Sequence, residues 1–241
     1  MHCPRACPTK RDTNPLTYSV RYCSHSNHSS AKEELPPRLT PCAFSAFLKV
    51  LNSSLHLPTG GLVINFCTQC GQEVNLLIPQ GDTHQRHVCT NCGHIHYENP
   101  RLIVGCVSTW DNKILLCRRA IEPRLGYWTL PAGFMENGET TAEAAVRETW
   151  EEAGARIAID APFSMISIAH INQVHLFYRG RLMSPEYSAG EESLEVILTK
   201  PEAIPWSDFA FQSVEITLRR FLAEAEQKRF SFHESVLAPN T

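Results

Sequence analysis

The chain has 241 residues, enough for one full domain and a smaller module at ~100 to 200 residues per domain. Its 43% apolar residues can build a core, and 22 Lys and Arg against 25 Asp and Glu leave a formal net charge of -3, so no global basic field recommends nucleic acid or an anionic membrane as partner. No uninterrupted apolar run approaches the ~18 to 20 residues of a membrane span, which excludes a helical membrane protein.

Residues 1–64 hold 7 of the 16 prolines and 7 basic against 3 acidic residues, the composition of a disordered, solvated leader. Ala43, Phe44, Phe47, Leu48 and Leu51 fall at helical spacing, so a short amphipathic turn is expected there. Three readings of the leader stay open: a plastid or mitochondrial transit peptide, a bland extension, or sequence upstream of the true start. Asp12, Glu33 and Glu34 weigh against the first, and the expected location is cytoplasmic, with plastid or mitochondrion as the alternative.

The ten cysteines do not mark a secreted scaffold, because the start lacks an apolar signal core and the chain is too long to need disulfide staples. Four of them form two C-x2-C pairs, Cys67 with Cys70 and Cys89 with Cys92, separated by 18 residues and each followed by glycine, Gly71 or Gly93. Four thiolates on two knuckles suit tetrahedral Zn2+ at about 2.3 Å and leave no open position for water, so the zinc is expected to be structural, within a ribbon over residues 65–99. Two disulfides or free thiols are the alternatives. His84, His87, His94 and His96 raise a mixed-ligand option but are expected to be bystanders.

From Leu102 the pattern turns to short apolar runs: strands are predicted at 102–107 and 113–117 about the turn Asp111-Asn112, and at 163–169, 173–183 and 194–199. Thr140 or Thr141 can cap a helix over 141–153, with Glu143 at capping-box spacing and Gly154 as its stop. Val214, Leu218, Phe221 and Leu222 mark a closing helix. Strands on both sides of a helix predict an α/β or α+β sandwich over residues 100–232, with residues 233–241 as a tail.

Glu148, Glu151 and Glu152 stand at i, i+3 and i+4, so three like charges project from one side of the predicted helix. Such a face is either merely solvated or neutralised by a divalent cation, and carboxylate ligands suit Mg2+ or Mn2+. The preceding loop Leu130-Pro131-Ala132-Gly133 makes a tight turn, where a glycine leaves room for a phosphate.

From Gly133, five residues lead to Glu139, and seven more to Arg147-Glu148-Thr149-Trp150-Glu151-Glu152-Ala153-Gly154-Ala155. This is the G-x5-E-x7-R-E-U-x-E-E-x-G-U pattern, and the chain resembles the Nudix hydrolase superfamily from about Asn65 to the closing helix. Thr149 and Ala155 stand where the pattern has bulky aliphatic residues facing the sheet, which puts helix packing in question. The resemblance implies an α/β/α sandwich with a mixed sheet and metal-dependent hydrolysis of a nucleoside diphosphate linked to a moiety X. It implies Glu148, Glu151 and Glu152 as Mg2+ or Mn2+ ligands, Arg147 as the partner that orients Glu139, and Gly133 as the loop glycine.

Of the acidic residues before strand 194–199, Glu195 and then Glu192 are favoured as a further catalytic carboxylate, with Glu191 beside them and an exposed acidic turn as the bland alternative. Arg118 and Arg119 could grip phosphate oxygens, and Trp128 or Tyr127 could stack on a base, although aromatics there equally serve a core. His170, Asn172 and Gln173 line the expected pocket or form an exposed bend.

A ribbon ahead of such a domain resembles ADP-ribose, FAD and NADH pyrophosphatases. The NADH class carries S-Q-P-W-P-F-P-x-S beyond the box, and the stretch Ser167 to Tyr178 has no such run. The proline that marks many ADP-ribose enzymes is replaced by Ile171, so ADP-ribose or FAD, with AMP as product, rests on overall resemblance. The expected partner is a small nucleotide, and a homodimer is compatible with this reading. The rival is a ribbon that binds nucleic acid with the larger domain serving recognition only; residues 65–241, with 15 basic and 22 acidic residues, weigh against it.

Overall fold

The computed structural model describes residues 64–239. The leader and the amphipathic turn expected near Phe44 lie outside the described residues.

The ribbon is a three-stranded antiparallel sheet of β1 (Val74–Leu77), β2 (Arg86–Cys89) and β3 (Ile95–His96), in the order β1-β2-β3. It is too thin to bury its own apolar residues: Phe66, Leu76, Ile78 and Tyr97 are exposed, while Cys67 and Cys89 are buried. Each C-x2-C pair closes as a tight knuckle, with the Gly71 amide donating to the Cys67 carbonyl (2.8 Å) and that of Gly93 to the Cys89 carbonyl (2.9 Å). Both glycines have positive φ, +71° and +74°, which is the backbone reason for the spacing C-x2-C-G.

The larger sheet runs β10-β5-β4-β9-β8-β11. In chain order its long strands are β4 (Arg101–Trp110), β5 (Lys113–Arg119), β8 (Ile157–Ile168), β9 (Gln173–Leu182) and β10 (Ser193–Thr199). Between β5 and the first helix, β6 (Trp128–Thr129) pairs with β5 and β7 (Ala132–Phe134) with β4; β11 (His233–Val236) follows the last helix. The β4-β9 and β8-β11 pairings are parallel and the others antiparallel, so the sheet is mixed. Asp111 and Asn112 both take positive φ at the β4-β5 hairpin, as a two-residue turn of the primed type requires.

Side chains alternate across the sheet, which divides the core in two. On one face Leu115 and Cys117 pack with Ala144, Ala145 and Ala153 of α1 (Thr141–Ala153). On the other, Ile114 and Leu116 pack with Val214, Leu218 and Phe221 of α2 (Gln212–Gln227). A helix on each face of a mixed sheet is the expected α/β/α sandwich.

Three local expectations change. β8 begins at Ile157 rather than 163, and the short β6 and β7 were too brief to show a period. The tail contains β11, whose four residues His-Glu-Ser-Val carry little strand signal and are held by pairing with β8. The question over helix packing is also resolved: Thr149 and Ala155 are fully buried, and the Thr149 hydroxyl donates to the Ala145 carbonyl at 2.7 Å, so the polar atom is satisfied within the helix.

Candidate active site and metal centres

The helix that carries the acidic residues is fixed at both ends. Thr140 accepts from the Glu143 amide while Glu143 accepts from the Thr140 amide, a complete capping box, and Gly154 ends the helix at φ +56°. Glu148 and Glu152, at 8% and 6% exposure, face inward, and Glu151 is exposed. Charged residues are almost never this buried unless something pairs with them.

Part of the pairing comes from Arg147. Its guanidinium grips Glu139 with two bonds (Nε 3.0 Å, Nη2 2.8 Å), reaches Glu148 at 2.8 Å and Glu151 at 2.9 Å, and donates to the Phe134 carbonyl at 3.1 Å. Glu139 also accepts from the Glu136 amide at 2.7 Å. The Arg147 bonds, and then that amide, hold the Glu139 carboxyl down to about 2. One cation thus joins the loop to the helix.

It does not neutralise the whole cluster. Burial raises the Glu148 carboxyl, and burial followed by the charge of Glu148 pushes Glu152 up to about 8, against a single long bond from the Ala132 amide at 3.4 Å. Two buried carboxylates, of which Arg147 bonds only Glu148, form an oxygen-donor set that fits a hard divalent cation. Gly133 belongs to the same arrangement, because a β-carbon there would fall on the Glu148 carboxylate. Its missing side chain makes room for Glu148, and the glycine itself lines the cavity.

These residues border a cavity of about 940 Å³. Of the acidic loop, Glu191 and Glu192 line it and Glu195 does not. Glu195 stands opposite Arg118 in the β10-β5 register, and the two side chains lie 3.8 Å apart, both about half exposed. The loop is set by Gly190, whose amide donates to the Glu152 carbonyl at 3.0 Å and whose Cα has no room for a β-carbon against the Glu151 backbone. The residues next in the chain are thereby brought to the cavity, and the glycine before them was the sequence signal for choosing Glu191 and Glu192.

Arg119 lines the cavity, with Nε on the Pro123 carbonyl at 2.9 Å and its guanidinium over the Phe211 ring, whereas Arg118 turns away and donates to the Gly126 carbonyl. Trp128 is a correction too: it packs on the α2-side core and does not line the cavity. His170 and Gln173 do line it; Asn172 sits at the bend in a left-handed conformation and does not.

Sequence reasoning missed His175 and Ser213. His175 is buried, with Nδ1 2.8 Å from the Ser213 hydroxyl and Nε2 3.1 Å from Gln173 Oε1, and burial lowers it to about 4. A neutral imidazole has one donor and one acceptor, so a serine hydroxyl and an amide oxygen satisfy it fully. The Gln173 amino group is then left for the cavity.

At the ribbon, the ligand atoms of Cys67, Cys70, Cys89 and Cys92 all lie within 4.8 Å of one another. The Cys67–Cys92 and Cys70–Cys89 sulfurs are 3.6 and 3.5 Å apart. These separations are too long for a disulfide and close to the ~3.8 Å edge of a tetrahedron with 2.3 Å metal–sulfur bonds. The four residues therefore fit zinc. None of the four histidines belongs to the cluster.

The family model described as "NUDIX domain" matches residues 99–224, and that described as "Nudix N-terminal", a zinc ribbon, matches residues 65–98. The crystal structure of a NUDIX hydrolase from Nitrosomonas europaea is 48% identical with a TM-score of 0.71, covering 72% of this chain and 99% of that one. Among curated relatives, the "NAD-capped RNA hydrolase NudC" of Vibrio atlanticus is 29% identical over 64% of this chain and 58% of its own length. The "ADP-ribose pyrophosphatase" of Methanocaldococcus jannaschii is 48% identical over 24% of this chain and 34% of its own length. The chain thus spans between a third and three fifths of the length of these two curated relatives.

Proposed function

The chain belongs to the Nudix hydrolase family, and from that premise we propose that it hydrolyses the diphosphate of a nucleoside diphosphate linked to another moiety, with ADP-ribose or FAD as substrate and AMP as a product. The observation that carries the reading is the pair of buried, incompletely neutralised carboxylates, Glu148 and Glu152, at the wall of a cavity of about 940 Å³. A volume near the upper end of ordinary small-molecule sites suits a two-part substrate better than a mononucleotide.

In this proposal Glu148, Glu151 and Glu152 hold Mg2+ or Mn2+, a family cofactor that when bound offsets charge on the diphosphate and makes a bound water more acidic. Arg147 ties Glu148 and the more exposed Glu151 together while clamped to Glu139. Glu192, which faces Glu148 and Glu152 closely enough to raise both, takes the proton from the attacking water, with Glu191 as its neighbour. Arg119 offers a cation to the diphosphate oxygens from the end of β5. The four ribbon cysteines hold a structural Zn2+ that takes no part in the reaction.

Two classes of relative differ in their named substrate, an RNA cap and ADP-ribose, so the test sets both chemistries side by side. ADP-ribose, FAD and an NAD-capped RNA are incubated with the purified protein and Mg2+ or Mn2+, and products are identified by mass. AMP from ADP-ribose or FAD, dependent on added metal, is expected. Turnover without metal, or of none of the three, overturns the proposal. The nucleic-acid-binding reading is less favoured, because the cavity wall at the box is acidic and would repel a phosphate backbone in the absence of metal.

A further inference from the structure

Residues 233–241 are read from the sequence as a tail, and the whole segment after α2 lies beyond the matched domain. It is nevertheless built into the molecule. Lys228 closes α2 in a left-handed conformation and turns the chain back, and Phe230 stacks on Phe221 at 5.3 Å with the Arg179 guanidinium 4.0 Å from its ring centre. Glu224 on α2 then acts as a latch. It accepts from the Ser231 amide and hydroxyl, both at 2.9 Å, and lies 2.7 Å from His233 Nε2. Beyond the latch β11 pairs in parallel with β8, Arg220 reaches the Ser235 hydroxyl at 3.3 Å, and the Leu237 amide donates to the Ser167 carbonyl at 2.9 Å. Leu237 and Ala238 thereby become part of the cavity wall.

Where that wall lies relative to the chemistry follows from the strand register. One row of directly paired residues crosses the sheet from Phe134 through Ile103, His175 and Ile166 to Ser235. It steps over four strand spacings, roughly 19 Å at ~4.8 Å each. Phe134 follows Gly133, which abuts Glu148, so the acidic cluster is at one side of this span and the C-terminal segment at the other. The cavity's carboxylates come from the first side or from the loops after β5 and before β10. Around the segment the lining has no carboxylate or guanidinium: Ile168, His170, Val214, Gln173, Ser213 and the neutral His175.

We propose that residues 231–238 are a substrate-specificity element, which walls the carboxylate-free end of the cavity and receives the ring system of the substrate most distant from the diphosphate. The inference rests on the hydrolase reading above. Gln173, its oxygen taken by His175, presents its amino group to an acceptor on that ring system, while Leu237 packs on its face. Such a wall discriminates by size and binds ground state and transition state alike, so its signature is in KM and not in kcat.

The test uses Leu237→Trp, which leaves the backbone bond to Ser167 intact while filling the wall, with ADP-ribose and FAD as probes. KM for the larger FAD should rise about tenfold more than KM for ADP-ribose, with kcat within twofold for both, a size-discrimination effect of the order known for apolar pockets. Leu237→Ala, which cannot clash, should raise KM several-fold for whichever substrate the wild type prefers. Unchanged KM in both variants, or a fall in kcat alone, overturns the inference while leaving the hydrolase reading intact. If the wild type itself turns over neither compound, the hydrolase reading fails and this inference with it.

Discussion

The ribbon gathers four cysteine sulfurs and the domain that follows it in the chain gathers three box glutamates, but by opposite means. In the ribbon, backbone turns at Gly71 and Gly93 bring four sulfurs together and almost nothing apolar is buried around them. In the larger domain two packed faces of a sheet force Glu148 and Glu152 into the interior beside each other, against their mutual repulsion. In the first region the metal has to supply the stability that a core would; in the second the core supplies the stability that assembling the charges costs. The donor chemistry follows the same division, with soft thiolates closing a site and hard carboxylates leaving one open to a cavity.

The comparison breaks most sharply at the ribbon. Cys89→Ser should lower the zinc content from about one atom per chain to near zero and open the segment around β1 and β2 to protease, since a structural zinc site contributes on the order of 10 kcal/mol to such a module. Elemental analysis and limited proteolysis read the two effects. Retained zinc would mean that a residue outside the quartet completes the site.

Glu152→Gln asks the opposite of the domain: chemistry should suffer and folding should not. Loss of one ligand charge should lower kcat by ~10² or more, the scale on which electrostatic catalytic groups are felt. Without the catalytic metal, the variant should melt at the same temperature as the wild type or higher, because glutamine replaces a buried carboxyl that burial and Glu148 make costly to ionise. A variant that turns over normally would mean that Glu152 does not hold the catalytic metal.

How legible each part was depends on the range over which its determinants act. The box is local, so spacing over Gly133 to Ala155 placed the helix and its capping region, and the family resemblance implied the Arg147 to Glu139 pair, before any fold was known. The cysteine knuckles are local for the same reason. Glu195, Arg118 and Trp128 were misplaced because their directions depend on strand pairing: register sets Glu195 against Arg118 and turns both from the cavity. His175, Ser213 and Leu237 come from three separate elements that meet only in the folded sheet, and β11 exists only because β8 offers it an edge. The Thr149 and Ala155 departures looked unfavourable because the sequence does not show that a buried hydroxyl can be satisfied by its own helix.

The smallest expected effect concerns His175, which tests whether the domain keeps its polar interior by packing alone. Its imidazole titrates at about 4 when folded and at about 6.5 when unfolded, because burial disfavours the charged form. Between these values the unfolded chain binds more protons than the folded one, so stability falls as pH is lowered from 6.5 and this contribution is exhausted at about 4. The full difference is about 3 kcal/mol at ~1.4 kcal/mol per pKa unit. Carboxylates such as Glu139 and Glu224, held low by their partners, add their own loss as pH falls through the acid range, so the wild-type curve alone does not isolate the histidine. The comparison with His175→Gln does, because glutamine cannot titrate and those carboxylates are common to both proteins. Denaturant unfolding at pH 7, 5.5 and 4, with zinc retained, should show the variant less stable at pH 7 and the gap narrowing or reversing by pH 4. A gap that stays constant across that range would mean that the folded protein admits the protonated imidazole, and that the packing between β9 and α2 yields to charge.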